Sequence, residues 1–323
     1  IVHNGSVAQL LPAAQCPDDM PQQVLSTGIL APGLIDLQVN GGGDVLFNNC
    51  PDEKTLATML AAHRATGTTA FMPTLISDTP EVQRQAVAAV RAAIAGGNKG
   101  VIGIHLEGPY FAQRKRGAHS AQMIRPASDE DITWLSSLAD MPVIVTLAPD
   151  VTPSEHIRRL SDSGLHVCAG HSNASYAQMA TALNAGLTGV THLFNAMSPL
   201  TSREPGVAGA ALEEDALWAG IIADGHHVHP ASIRLAQRCK PAGKLVLVSD
   251  AMATVGGSAG QFQLYGETIR ECDGRLVNEA GALAGSAIGM IDAVRYTAAE
   301  VGIGLAECLR MASLSPATSL GMA

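Results

Sequence analysis

Five apolar runs in this 323-residue chain end in residues that bind metals or move protons. They are His105-Leu106-Glu107-Gly108-Pro109, Gly170-His171-Ser172, Thr191-His192-Leu193-Phe194-Asn195-Ala196, Asp224-Gly225-His226-His227 and Ser249-Asp250-Ala251. A sixth, Asp36-Leu37-Gln38-Val39-Asn40, ends in two amides. A Glu/His/His set is a common ligand group for a catalytic zinc-type ion and leaves positions open for water and substrate. Such an ion polarises a carbonyl oxygen and brings the pKa of bound water to ~7. A separate carboxylate, Asp250, is suited to accept the water's proton and deliver it to a leaving amine. The chemistry these residue types suggest is metal-assisted hydrolysis of an amide. Taken singly, each residue has an ordinary explanation, since a His after a strand is usually a hydrogen-bonded structural residue and Glu107 could pair with an Arg. The argument lies in their co-occurrence. His3, His63, His156 and His166 fall away from the run ends and read as core or surface, and methionines such as Met59 and Met72 as core filler.

The apolar runs span 29–40, 69–76, 101–109, 142–149, 166–172, 189–196, 218–225 and 244–251. Most are continuous rather than alternating, as in parallel strands covered on both faces. Ala/Leu-rich stretches with helical spacing lie between most of them, at 52–66, 80–95, 128–139, 152–163, 174–185 and 230–239. Asp52 and Pro153 stand where a helix start takes a capping acid or an N1 proline. Eight strands alternating with helices predict an α/β fold, the (β/α)8 TIM barrel, in which reactive groups collect where strands end. Residues 1–28 are short apolar pieces broken by Pro and Gly, the remnant of a small β element, and the barrel occupies 29–323. A β-hairpin insertion is expected at about 257–282, with strands 261–271 and 275–279 around the turn Cys272-Asp273-Gly274. Two further helices follow, at 291–301 and 306–313.

Hydrophobic residues make up 47% and charged residues 15%, which supports a large core and excludes general disorder. Aromatics are only 3%, so the core must be built from Ala, Val, Leu and Ile. A formal charge of −9 argues against a nucleic-acid partner. No apolar run approaches the ~18 residues of a membrane span. No signal peptide is visible; the chain begins at Ile1 without a Met, so the amino terminus is read as lost and a removed leader stays open. Cysteines 16, 50, 168, 239, 272 and 308 form no C-x-x-C pair and read as reduced, mostly buried thiols of a cytoplasmic protein.

The segments Pro32-Gly33-Leu34-Ile35-Asp36, His105-Leu106-Glu107-Gly108-Pro109, Ala169-Gly170-His171-Ser172-Asn173-Ala174, Thr191-His192-Leu193-Phe194-Asn195-Ala196-Met197, Arg203-Glu204-Pro205-Gly206 and Ala284-Gly285-Ser286 carry a resemblance. In order, over 29–323, the chain resembles the N-acetylglucosamine-6-phosphate deacetylases of the amidohydrolase superfamily. The resemblance implies a barrel of the metal-dependent amidohydrolase type with a small β-sandwich domain built from both chain ends. That domain would be incomplete here, with 1–28 supplying part of its first half. It implies one divalent metal per subunit on Glu107, His171 and His192, expected to be Zn(II), with Fe(II), Mn(II) or Co(II) also accepted by such a site. Asp250 matches the acid/base, and His119, in Arg116-Gly117-Ala118-His119, a histidine near the substrate's acetyl group. Ala118, Asn195, Ala196 and His227 match substrate contacts, His227 (chosen over His226) near the phosphate. Leu283, Ala284 and Gly285 match a loop closing over the substrate. Arg203 matches an arginine reaching the sugar phosphate from the neighbouring subunit, which implies a homodimer and suits the planar guanidinium fork.

Many amidohydrolases carry His-x-His at the end of strand one and bind a second metal there. Gln38 and Asn40 stand at that position, and an amide is a far poorer ligand, so the second-metal position should be vacant. The implied reaction removes acetate from N-acetylglucosamine 6-phosphate to give glucosamine 6-phosphate, in amino-sugar catabolism or recycling. The alternatives are the same chemistry on N-acetylgalactosamine 6-phosphate, a two-metal cyclic amidase, against which Gln38 and Asn40 count, and a catalytically silent sugar-phosphate-binding regulator.

Overall fold

Eight parallel strands form one sheet in sequence order: β1 (Leu34–Val39), β2 (Thr68–Ile76), β3 (Ile104–Glu107), β4 (Val143–Leu147), β5 (His166–Ala169), β6 (Gly189–Val190), β7 (Trp218–Ile222) and β8 (Leu245–Val248). Just past β1 and β8 the ring closes. The Asp250 N–H donates to Gln38 O (3.0 Å) and the Asn40 N–H to Ala251 O (2.8 Å). This is the expected (β/α)8 barrel. The structure is a computed structural model and describes every residue except Asn4, Gly5 and Asp18. The barrel lies within Pro32–Ala323; Ile1–Ala31 is a separate small unit, in which Val2–His3 pairs antiparallel with Ser6–Val7. Among the described residues no helix is long and apolar enough to cross a membrane.

The helices start where the sequence supplies caps. Asp52 accepts from the Thr55 N–H (2.7 Å) at the head of α1 (Glu53–Arg64), and Thr79 precedes Pro80 at the head of α2 (Pro80–Ala95). Ser128 and Asp131 form a capping box on α3 (Asp129–Ser136), as Ser175 and Gln178 do on α5 (Tyr176–Asn184). Pro153 is not at N1 as expected. Its ψ of 139° is extended, so it stands at the N-cap and α4 (Ser154–Asp162) begins one residue later. The short, Gly-led α6 (Gly206–Glu213) has no side-chain cap and no clear sequence signal; α7 (Pro230–Cys239) does. The expected helix 291–301 is in fact α8 (Met290–Tyr296) running into a π turn at Thr297–Val301, followed by α9 (Leu305–Met311) and α10 (Leu314–Ser319).

Two apolar layers result. One lies between strands and helices, with Leu56, Val90, Ile132 and Ile157 fully buried. The other fills the barrel, where Leu37, Met72, Ile144, Val246 and Trp218 meet. Trp218 is the large plug; a Cβ on Gly189 would lie 2.4 Å from its ring, so β6 needs glycine there. The expected first run, 29–40, enters the sheet only at Leu34, because Ile29 and Leu30 are exposed and Pro32 has no N–H to donate.

The insertion after β8 is larger than a hairpin. It is a four-stranded antiparallel meander of β9 (Gln261–Leu264), β10 (Glu267–Cys272), β11 (Arg275–Val277) and β12 (Leu283–Ser286). The stretch 261–271, expected as one strand, is split by a turn at Tyr265 (φ 51°) and Gly266 (φ 83°). The turn at Asp273 and Gly274 is where the sequence placed it.

Asp36 fastens β1 to β8 beneath the mouth. Its carboxylate accepts from the Gln38 N–H and the Ser249 N–H (both 3.2 Å) and from the Ser249 hydroxyl. Complete burial outweighs these bonds and pushes its pKa up to about 7. The folded protein therefore binds this proton more tightly than the unfolded chain, whose Asp titrates near 3.9. Asp36's contribution is most favourable below about pH 4 and is lost as pH rises through 7. Asp36→Asn is expected to flatten the fall in unfolding free energy between pH 5 and 8 seen in denaturant titrations. A variant with the parent's slope would show that Asp36 titrates normally.

Candidate active site

Glu107 is the last residue of β3. His171, His192 and Asp250 each lie two residues past β5, β6 and β8, with left-handed φ of 48°, 35° and 52°. Left-handed backbone is costly for a residue with a Cβ and concentrates at functional sites. Here it ends the strand and turns each side chain inward over the barrel mouth. All four side chains converge there, Glu107, His171 and His192 buried and Asp250 partly buried.

Three donor atoms meet at one point. His192 Nε2 lies 3.0 Å from Glu107 Oε1 and 2.9 Å from His171 Nε2, and His171 Nε2 lies 3.2 Å from Glu107 Oε1. His171 Nδ1 is 2.8 Å from the Lys115 carbonyl, which can only accept. The neutral ring therefore carries its proton on Nδ1 and turns a bare lone pair on Nε2 toward a carboxylate and another imidazole. Lone pairs gathered at this spacing, on buried side chains, call for a cation between them, and imidazole with carboxylate suits a divalent ion of the zinc type. His119 also brings a ring nitrogen within 4.8 Å of donors on Glu107 and His171. Its Nδ1, however, accepts the Ser77 N–H (3.2 Å) and contacts the Ser77 hydroxyl (2.8 Å). Nε2 of neutral His119 then bears the proton and has no lone pair for a metal, which makes His192 the better third ligand.

The electrostatics follow from burial and this crowding. Burial opposes ionisation of Glu107, but the His171 and His192 imidazoles beside it outweigh burial and hold the carboxyl well below the usual range. Burial lowers His171 and His119, whereas the Glu107 contact overcomes burial at His192 and raises it. Asp250 is pushed up to about 6 by burial and then by the charge of Glu107.

Gln38 and Asn40 do more than leave a position vacant. Gln38 Nε2 donates to both Glu107 oxygens (3.3 and 3.2 Å) and to Asp250 Oδ1 (3.1 Å). Asn40 Nδ2 donates to the same Asp250 oxygen (2.7 Å). Two amides thus hold two carboxylates side by side. Beneath them His105 bridges Leu37 O (3.1 Å) and Thr146 Oγ1 (2.7 Å), a polar layer inside the barrel.

Above the donors opens a cavity of about 190 Å³. Ala118, His119, Asn195, Ala196, His227, Leu283 and Gly285 line it, together with the apolar Ile76, Ile222 and Met252. His227 faces inward, its Nδ1 held by Asp224 Oδ2 at 2.6 Å, and His226 is exposed outside. Two expected residues are not on this wall. Ala284 turns the other way, buried against Met252 and Leu276, and Arg203 is exposed away from the cavity of its own chain. Ser77 and Asp224, which orient the two histidines, are missing from the sequence-based set. Ser77 stands directly after β2, a strand end the sequence did not single out, and Asp224 stands in the end of the seventh run, where it was given no role.

A β/α barrel with Glu, two His and an Asp at its carboxyl mouth defines a metal-dependent hydrolase. The Amidohydrolase family profile matches residues 29–323. The chain belongs to that family and acts as a hydrolase on an amide bond. An N-acetylgalactosamine-6-phosphate deacetylase of Shewanella sp. (strain ANA-3) is 44% identical over 308 residues, which cover 94% of this chain and 77% of that protein. An N-acetylglucosamine-6-phosphate deacetylase of Haemophilus influenzae is 34% identical over 334 residues, covering all of this chain and 85% of that one. The crystal structure of N-acetylglucosamine-6-phosphate deacetylase from Pasteurella multocida superposes with a TM-score of 0.93 at 38% identity, over 97% of this chain and 82% of that one.

Proposed function

We propose that this chain hydrolyses the acetamide of N-acetyl-D-glucosamine 6-phosphate to D-glucosamine 6-phosphate and acetate, in amino-sugar catabolism or recycling. The observation that carries the reading is Asp250 set beside the Glu107, His171 and His192 donors in one small cavity. Those three residues hold one divalent ion, Zn(II) or else Fe(II), Mn(II) or Co(II). When bound, such an ion polarises the amide carbonyl and makes nearby water acidic enough to attack at neutral pH. Asp250 takes the proton released by the attacking water and passes it to the amide nitrogen as the C–N bond breaks. Asn40 and Gln38 occupy its Oδ1 and leave Oδ2 for that transfer. His119 donates its Nε2–H to the acetyl oxygen, where negative charge develops. Ala118, Asn195 and Ala196 shape the sugar site, Leu283 and Gly285 cover it, and His227 contacts the phosphate.

Arg203 is exposed and off the cavity of its own chain; in the proposed homodimer it reaches the phosphate in the neighbouring subunit. Arg203→Ala is expected to raise KM for the phosphorylated sugar by roughly ten- to a hundredfold, the worth of a charge-assisted hydrogen bond. An unchanged KM would remove this role. Residues 1–28 are proposed as part of a β-sandwich domain. A cytoplasmic setting is proposed from six free cysteines, of which Cys168 and Cys308 are buried and the other four exposed, against the expectation that most would be buried.

The relative at 44% identity favours a second reading, the galacto epimer as substrate. Acetate release from the two 6-phosphates, with the unphosphorylated sugars in parallel, decides between them. Higher kcat/KM on the gluco sugar is the expected result, a preference for the galacto sugar would reverse the assignment, and no release from either would overturn both.

A further inference from the structure

We propose that Ser77 and Tyr265 are positioning residues that fix the tautomer and aim of His119 and tie the insertion sheet to the site. The proposal rests on the deacetylase reading for its kinetic consequence, and on geometry alone for the rest.

A backbone N–H can only donate, so the Ser77 amide, 3.2 Å from His119 Nδ1, makes that nitrogen an acceptor and leaves the ring proton on Nε2. Ser77 itself is held from every side. Asn48 brackets the preceding residue, accepting from the Ile76 N–H (3.1 Å) and donating to Ile76 O (3.0 Å), and its amide also reaches Asp78 (2.9 Å). On the other side the Tyr265 hydroxyl donates to Ser77 O at 2.5 Å. The room for the Ser77 hydroxyl exists because residue 108 is glycine; a Cβ there would lie 2.3 Å from Ser77 Oγ.

Tyr265 is an odd residue for its place. It occupies the first position of a two-residue turn with φ 51°, followed by Gly266 at φ 83°. Such turns favour Asn, Asp or Gly, and a bulky side chain there is strained. What offsets the strain is the reach of the ring, which packs on the apolar cluster that Ala118, the neighbour of His119, also packs on, and delivers its hydroxyl to the end of β2. The same meander carries Leu283 and Gly285 to the cavity wall. The insertion is therefore anchored to the site through His119 as well as covering it.

The test uses Zn(II)-loaded, full-chain protein with ¹⁵N-labelled histidine, His119 being assigned by the signals lost in His119→Gln. The expected spectrum shows His119 neutral and wholly Nε2–H, and Tyr265→Phe shifts it to a mixture of tautomers. An Nδ1–H or doubly protonated His119 in the parent, or an unaltered spectrum in Tyr265→Phe, overturns the assignment whether or not any sugar is hydrolysed. In turnover, Tyr265→Phe is expected to lower kcat about tenfold with KM within about threefold, and to cost less than twofold in a His119→Gln background. Equal losses in both backgrounds would mean that Tyr265 acts by general support of the fold. Absence of hydrolysis by the parent would sink the deacetylase reading and leave the tautomer assignment standing.

Discussion

Replacing Asp250 by Asn is expected to lower kcat for acetate release by about a thousandfold while KM moves less than about threefold. Asn is the informative choice. It tolerates the left-handed backbone that Asp250 adopts, at φ 52°, better than other residues do. It also keeps an oxygen to accept from Asn40 and Gln38, so the shape of the site survives and the proton acceptor is what disappears. The pH profile adds a second reading. Asp250 works as a base only when ionised, and burial together with Glu107 lifts it to about 6. In the parent, kcat/KM should rise as pH climbs through an acid limb at or below 6, because a cation among the three donors offsets the Glu107 charge. In Asp250→Asn that limb should vanish. Turnover within tenfold of the parent, or an unchanged acid limb, would remove Asp250 from the proton transfer.

Much of the barrel was legible because its physics is local. Runs such as Leu245–Val248 and Val143–Leu147 are buried on both faces and so are apolar throughout, which is the pattern of a covered parallel strand. Asp52 announces α1 because a carboxylate before a helix caps a free N–H. The strand ends were read too long for a reason the residue types do not encode, since His171, His192 and Asp250 leave the sheet through left-handed backbone that tertiary contacts impose. Tyr265 escaped notice for the same reason, a bulky residue being the opposite of a turn signal. Glu107, His171, His192 and Asp250 stood out through their positions at strand ends, but the bonds that organise them did not. Gln38 reaches Glu107 and Asp250 across separations of 69 and 212 residues, and only the closed barrel brings them together. Ala284 could have been read correctly from local pattern, since in β12 alternate residues face opposite ways and Leu283 with Gly285 takes the cavity side.

Removal of divalent metal is expected to abolish acetate release, and one equivalent of Zn(II) per chain, not two, to restore it. The donor chemistry sets the number. Glu107, His171 and His192 bring three ligand atoms within 3.2 Å of one another, a set that one cation satisfies. At the end of β1, where the resemblance would place a second ion, the N–H groups of Gln38 and Asn40 carry partial positive charge and hydrogen-bond to Glu107 and Asp250. A second cation there would meet donors rather than acceptors. Metal binding should also stabilise the fold, because the native state alone presents the three donors together; at a hundredfold excess over Kd the gain is about 2.7 kcal/mol, visible as a rise in Tm. His192→Asn, which fits the φ of 35°, should bring bound metal from one per chain to near zero and turnover with it. Full activity after chelation, or recovery that needs two equivalents, would contradict this site. The second outcome would further mean that the amides of Gln38 and Asn40 turn their oxygens inward, reversing the bonds that now hold Asp250 in place.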